Sequence, residues 1–239
     1  MKTRLNGGIV NGASTLAPAR AAGRPSSDIP EGTLVIPGVP VRERRHSHVL
    51  QSPLAAPRAG IMLHYDDSSR DDWALAWFSD PRCTNGYTGL VLDDGAVVEL
   101  ADPALRTPHA GACLTDNANS RFYGLSAATN GLVLATPAQV QSMITTCAAL
   151  FRYHGWRADD VGTRIVGHDA QAIWNPALTR AAGIPDVKGQ GLWGKLGRKV
   201  DPTGRREDRR PIIDINQVRA DVARALRNPG GANGNGKVE

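Results

Sequence analysis

Two short apolar runs, Ile61-Met62-Leu63 and Ile165-Val166-Gly167, each end in a histidine, His64 and His168, and well beyond them stands Lys199-Val200-Asp201-Pro202. Two imidazoles and one carboxylate make a zinc-type ligand set with a fourth position left open for water, as catalytic rather than structural sites have. For the three to serve one ion, the fold must carry them together from distant parts of the chain. Residues two apart on an extended segment share a face, so Lys199 and Asp201 are expected to point into one pocket and place a cation beside the ion.

The chain has 239 residues, 41% hydrophobic and 21% charged, enough for one good-sized core with flexible ends. Its formal charge of +5 favours polyanionic surroundings such as acidic wall polymer, nucleic acid or a membrane face, and does not choose among them. Cys83, Cys113 and Cys147 include no C-x-x-C pair, which argues against a disulfide framework and a cysteine zinc cage. Cys147 falls in a helical apolar stripe and is expected to be a buried thiol. No stretch approaches membrane-spanning length. Asn6, Gly7, Gly8, Asn11 and Gly12 interrupt what would be the apolar core of a secretory signal, so synthesis in the cytoplasm and release by lysis are expected.

Residues 1–32 are rich in Ala, Gly, Pro and Ser and read as a flexible arm; 229–239 read as a Gly- and Asn-rich tail, leaving 33–228 as the folded domain. The prolines between Thr33 and Val41 suit an edge strand. Ile61–His64 reads as a strand, and Ser69–Phe78 as a helix with Asp71 and Asp72 in its first turn. Thr88–Leu92 and Ala96–Leu100 read as a hairpin around Asp93-Asp94-Gly95, and Phe122–Ala128 as another strand. Thr136-Pro137-Ala138-Gln139 combines an N-cap, a first-position proline and a capping-box partner. The helix it opens places Val140, Met143, Ile144, Cys147, Leu150 and Phe151 on one face and ends at Gly155. A strand over 164–166 delivers His168, and a last helix over 215–226 buries Val218, Val222, Ala225 and Leu226. The sum is a single α/β domain, a central mixed β-sheet with helices on both faces.

Five stretches, in order, resemble the zinc-dependent N-acetylmuramoyl-L-alanine amidases, a family that includes phage amidase-type lysozymes and peptidoglycan recognition proteins. They are Ile61–His64, Gly86-Tyr87 with the hairpin to Gly95, Thr107-Pro108-His109-Ala110-Gly111, Ile165–His168 and Lys199–Pro202. The resemblance implies one zinc ion per chain, held by His64, His168 and Asp201, with Tyr87 and Lys199 as catalytic residues stabilising the charge of a tetrahedral intermediate. It places His109 along the substrate groove. Ser126 stands where many members have a glutamate acting as general base, and phage members with Tyr and Lys also lack that glutamate. Tyr87 is the preferred proton shuttle over Asp66 or Asp67. Arg121, near a frequent asparagine of the family, is expected to alter contacts to substrate, so His109, Ser126 and Arg121 form the expected substrate-binding set.

The function this implies is zinc-dependent hydrolysis of the amide between N-acetylmuramic acid and L-alanine in bacterial peptidoglycan, in a phage- or prophage-type endolysin acting as a monomer. A cytosolic muropeptide-recycling amidase, a noncatalytic peptidoglycan-binding module and a wall- or DNA-anchored structural protein are the alternatives. Specific nucleic-acid binding is not expected, because Arg205, Arg206, Arg209 and Arg210 lack interleaved aromatics. His46 and His48 are read as solvated, and His154 as a complement to its helix dipole.

Overall fold

The computed structural model describes residues 39, 41–44 and 47–228, save 112, 114, 131, 171–201 and 203–209. The arm 1–32, the tail 229–239, Lys199, Asp201, His46, Arg205, Arg206 and Arg209 lie outside the described residues, as does most of the proline-bearing segment expected as an edge strand.

Six strands form one sheet: β1 (Val41–Arg44), β2 (Gly60–Tyr65), β3 (Gly89–Val91), β4 (Val97–Glu99), β5 (Phe122–Ala127) and β6 (Ile165–Gly167). Their order is β1-β4-β3-β5-β2-β6, with β3 and β4 antiparallel and every other pair parallel. The edge strand β1 takes in Val41, the last residue of the segment expected to supply one; the rest of that segment, Val39 apart, lies outside the described residues. The β3–β4 turn is the expected one: Gly95 takes φ 84°, which its missing Cβ permits, and its N–H donates to Leu92 O at 2.8 Å. β2 lies between β5 and β6 and is paired to both.

Helices α1 (Asp71–Phe78), α2 (Ala118–Arg121), α3 (Pro137–His154), α4 (Val161–Arg164) and α5 (Ile215–Arg227) complete the described elements with a 3-10 turn at Ala158–Asp160. Side chains alternate across the sheet. Ile61, Leu63 and Tyr65 of β2, with Tyr123 and Leu125 of β5, join the cluster that α3 and α5 cover. Met62 and Phe122 face the other way with Val166, while Leu90 and Val98 on that side meet Ala74 and Phe78 of α1. Helices thus lie on both faces, as the alternating pattern implied.

The N-terminus of α3 fixes the sheet's register to the helix layer. Thr136 Oγ1 accepts from Gln139 N at 3.1 Å, and Gln139 Oε1 accepts from Thr136 N at 2.8 Å. The fully buried Gln139 also donates through Nε2 to Val91 O and Ala128 O. Gly155 closes the helix in the left-handed region. In α5, Val218 and Val222 are buried as expected, while Ala225 and Leu226 are only partly so. The three cysteines form no disulfide, and burial pushes the Cys147 thiol up to about 12.

Candidate active site

His64 is delivered by pleat parity. It stands second to last in β2, pointing with Met62 away from α3 and α5, directly opposite Ser126 of β5. β6 pairs with β2 through Gly167, so the next residue, His168, emerges beside it, and His168 N donates to Leu63 O at 3.3 Å. The two imidazole centroids lie 4.6 Å apart at 68°. Both rings are buried, at the C-terminal ends of parallel strands, where α/β sheets place their ligands.

Hydrogen bonds fix which nitrogen each ring presents. His109 Nε2 lies 3.0 Å from Phe122 O, and a carbonyl only accepts, so the proton sits on Nε2 and Nδ1 carries the lone pair. That Nδ1 lies 3.1 Å from His64 Nε2, which must therefore be the donor. Burial, then the neighbouring His64, holds His109 well below the ordinary histidine range and keeps it neutral. His168 Nε2 in turn donates to Ala110 O at 2.7 Å. In both His64 and His168 it is Nε2 that these bonds engage. An imidazole whose other N–H is anchored to a carbonyl or a neighbouring side chain is the form in which histidine binds a metal.

The loop bearing His109 is itself held in place. Its ring lies flat on Gly124 of β5: a Cβ there would stand 2.7 Å from His109 Cγ, so only glycine admits the ring. Asn119 Oδ1 accepts from Ala110 N at 2.7 Å. Arg58 sends its guanidinium into the carbonyls of Pro103, Leu105, Ser120 and Phe122, four groups that otherwise have to be satisfied away from water. Burial lowers the Arg58 pKa from its ordinary value.

Tyr87 approaches His64 with ring centroids 4.8 Å apart, and its hydroxyl donates to Tyr65 O over a long 3.4 Å. Tyr87, His109 and His168 line a groove of about 450 Å³, together with Asp66, Arg82 and Trp77. Asp66 is pushed up to about 6 by burial, against the opposing hydrogen bonds that Oδ1 accepts from Ser68 N and Thr129 N.

The structure thus brings His64, His168, His109 and Tyr87 together. Ser126 lies fully buried beside His64, its hydroxyl donating to Ala127 O at 3.4 Å, and Arg121 is exposed on α2; neither lines the groove. Lys199 and Asp201 are outside the described residues, but Pro202, next to Asp201, is buried against Gly167. Among the described residues no three His, Cys, Asp or Glu side chains converge on one centre. Sequence reasoning missed Arg58 and Asn119, which act on backbone groups and leave no motif of their own. His154 departs from its expected role. It stacks on Trp156 at 4.4 Å and bonds Tyr123 Oη at 2.9 Å, and burial lowers its pKa, so it braces an aromatic cluster in place of charging a helix end.

No curated protein sequence matches the chain at a significant level. Its fold is similar to that of a selenomethionine derivative of AmpD, with TM-score 0.55 and 16% identity over 81% of this chain and 99% of that one. It is also similar to that of the Staphylococcus aureus hydrolase AmiA in complex with its ligand, with TM-score 0.51 and 16% identity over 79% of this chain and 85% of that one. At such identities the likeness speaks for the mixed sheet and its helices. The sequence model of the N-acetylmuramoyl-L-alanine amidases matches residues 55–203, more than half the chain and a span that includes every residue discussed at the groove. The chain belongs to the N-acetylmuramoyl-L-alanine amidase family.

Proposed function

We propose that this protein is a zinc-dependent amidase that cuts the bond between the lactyl group of N-acetylmuramic acid and the L-alanine of the stem peptide, working on intact cell wall as a phage- or prophage-type endolysin. The observation that carries the reading is the pair of buried imidazoles His64 and His168, 4.6 Å apart at the C-terminal ends of β2 and β6, each held in orientation by a bond at Nε2. That donor chemistry fits zinc, with Asp201 as the third ligand by its place in the Lys199–Pro202 motif. A zinc ion bound there would polarise the scissile carbonyl and make a water acidic enough to ionise near neutral pH.

The chain's own residues supply the rest. Tyr87 offers an O–H beside His64 to the carbonyl oxygen that gains negative charge as the amide is attacked, and Lys199 adds a cation by its spacing from Asp201. His109 keeps His64 in the required tautomer. The bonds from the His168, His109 and Arg58 side chains to backbone carbonyls fix the site before substrate arrives, which reduces the reorganisation needed at reaction. Retention of both histidines favours an enzyme over a noncatalytic binding module.

Mass spectrometry of muropeptides from purified sacculi tests the reaction. Wild type should release intact stem peptides from the glycan. His168→Ala should lower the rate by about 10³-fold or more, and a chelator should act alike. Cleavage between sugars would refute the assigned bond. Activity on small anhydro-muropeptides alone would replace the endolysin by a recycling enzyme.

A further inference from the structure

Helix α1 carries Trp73 and Trp77, 53% and 49% exposed, one turn apart. Residues four apart share a helix face, so the two indoles form one apolar strip. The helix docks through Ala74 and Phe78, both buried, and that contact accounts for its packing without either indole. Exposing two such large rings gives up burial that a helix seeking only stability would use.

The strip borders a cleft of about 460 Å³ that Asp67, Ser68, Ser69, Asn130 and Leu132 complete. Its walls are tied to each other. Asp66 Oδ1 accepts from both Ser68 N and Thr129 N, and Asp67 N donates to Thr129 O, joining the β2–α1 turn to the loop after β5. Asn130 Oδ1 accepts from Leu132 N and Val133 N, shaping that loop. Arg70, paired with Asp72, packs 5.5 Å from the Trp73 ring centroid. Trp77 lines both this cleft and the groove holding His168, so the two adjoin.

Flat apolar rings beside a carboxylate, two hydroxyls and an amide match a ligand that alternates C–H faces with equatorial hydroxyl and acetamido groups. We propose that Trp73 and Trp77, with Asp67, Ser68, Ser69 and Asn130, form a subsite for a β-1,4-linked N-acetylhexosamine strand running on from the groove. The inference rests on the amidase reading for what lies in the groove itself. Its consequence is a preference for polymeric wall over a single sugar bearing a stem.

The test uses the full chain and a β-1,4-linked N-acetylglucosamine tetramer without peptide, titrated by calorimetry and by amide NMR. The tetramer should bind with shifts concentrated at 67–77 and 130–132, and Trp73→Ala should weaken it roughly three- to tenfold, with Trp73→Tyr restoring most of the affinity. In parallel, the ratio of kcat/KM on sacculi to that on N-acetylmuramoyl-pentapeptide should fall by a similar factor in Trp73→Ala. Absence of tetramer binding, shifts elsewhere, or an unchanged ratio would overturn the subsite. Wild type that cleaves both substrates and ignores the tetramer sinks the subsite alone; wild type that binds the tetramer and cleaves neither sinks the amidase reading alone.

Discussion

On the face of the sheet covered by α3 and α5, the strands contribute Ile61, Leu63, Tyr123 and Leu125 to one large apolar cluster that includes Phe151 and Met143. On the opposite face the apolar residues split into two smaller clusters, and between them sit His64, Ser126, His109 and His168, buried and hydrogen-bonded. A buried imidazole costs stability unless its nitrogens are satisfied, whereas a buried leucine or phenylalanine adds to it directly. Because side chains alternate, one six-residue strand, β2, contributes to both faces: its odd-numbered positions join the apolar cluster, and His64 joins the buried polar groups.

If the faces divide the work in this way, damage to each should read out differently. Phe151→Ala removes a fully buried ring from the apolar face and should lower stability by about 3–5 kcal/mol in denaturant titration, while the remaining folded protein keeps its turnover per molecule. A comparable loss of turnover would blur the division. His109→Ala should do the reverse. It removes the acceptor for His64 Nε2, and zinc affinity and kcat/KM should each fall about 10–100-fold, as for other partners of metal-binding histidines. Metal affinity equal to wild type would show that His109 merely fills space.

The smallest effect concerns His154, bonded to Tyr123 on the face that α3 covers. His154 has a pKa depressed by burial, so the unfolded chain binds its proton more readily than the native one. The stability it contributes is complete above the ordinary histidine value of about 6.5 and is lost as pH falls through the lower folded value. His154→Gln should therefore show a melting temperature less sensitive to acid between neutrality and pH 5 than wild type. An identical acid slope in both proteins would remove His154 from the account.

Features with a local cause were legible in the sequence. The capping box at Thr136 and Gln139 is written within four residues, and the strand carrying His64 is marked by the apolar run Ile61-Met62-Leu63. What escaped depends on encounters between distant segments. Arg58 matters because carbonyls from the loop after β4 and from α2 and β5 converge on it, and Asn119 because Ala110 N comes within its reach. Gly124 is required because the His109 ring packs against it, which needs the fold to be seen. Ser126 illustrates the opposite case: the motif put it at the site, and the register places it against His64, but burial closes it off from the groove.

The most direct test of the central claim is metal content. Wild type, His64→Ala, His168→Ala and Asp201→Ala would be purified without chelator, equilibrated with zinc, desalted and measured by plasma mass spectrometry alongside protein concentration. The account predicts about one zinc ion per wild-type chain and nearly none in any of the three variants, with circular dichroism showing each still folded. Zinc retained in full by His64→Ala or His168→Ala, or wild type that takes up none, would contradict it.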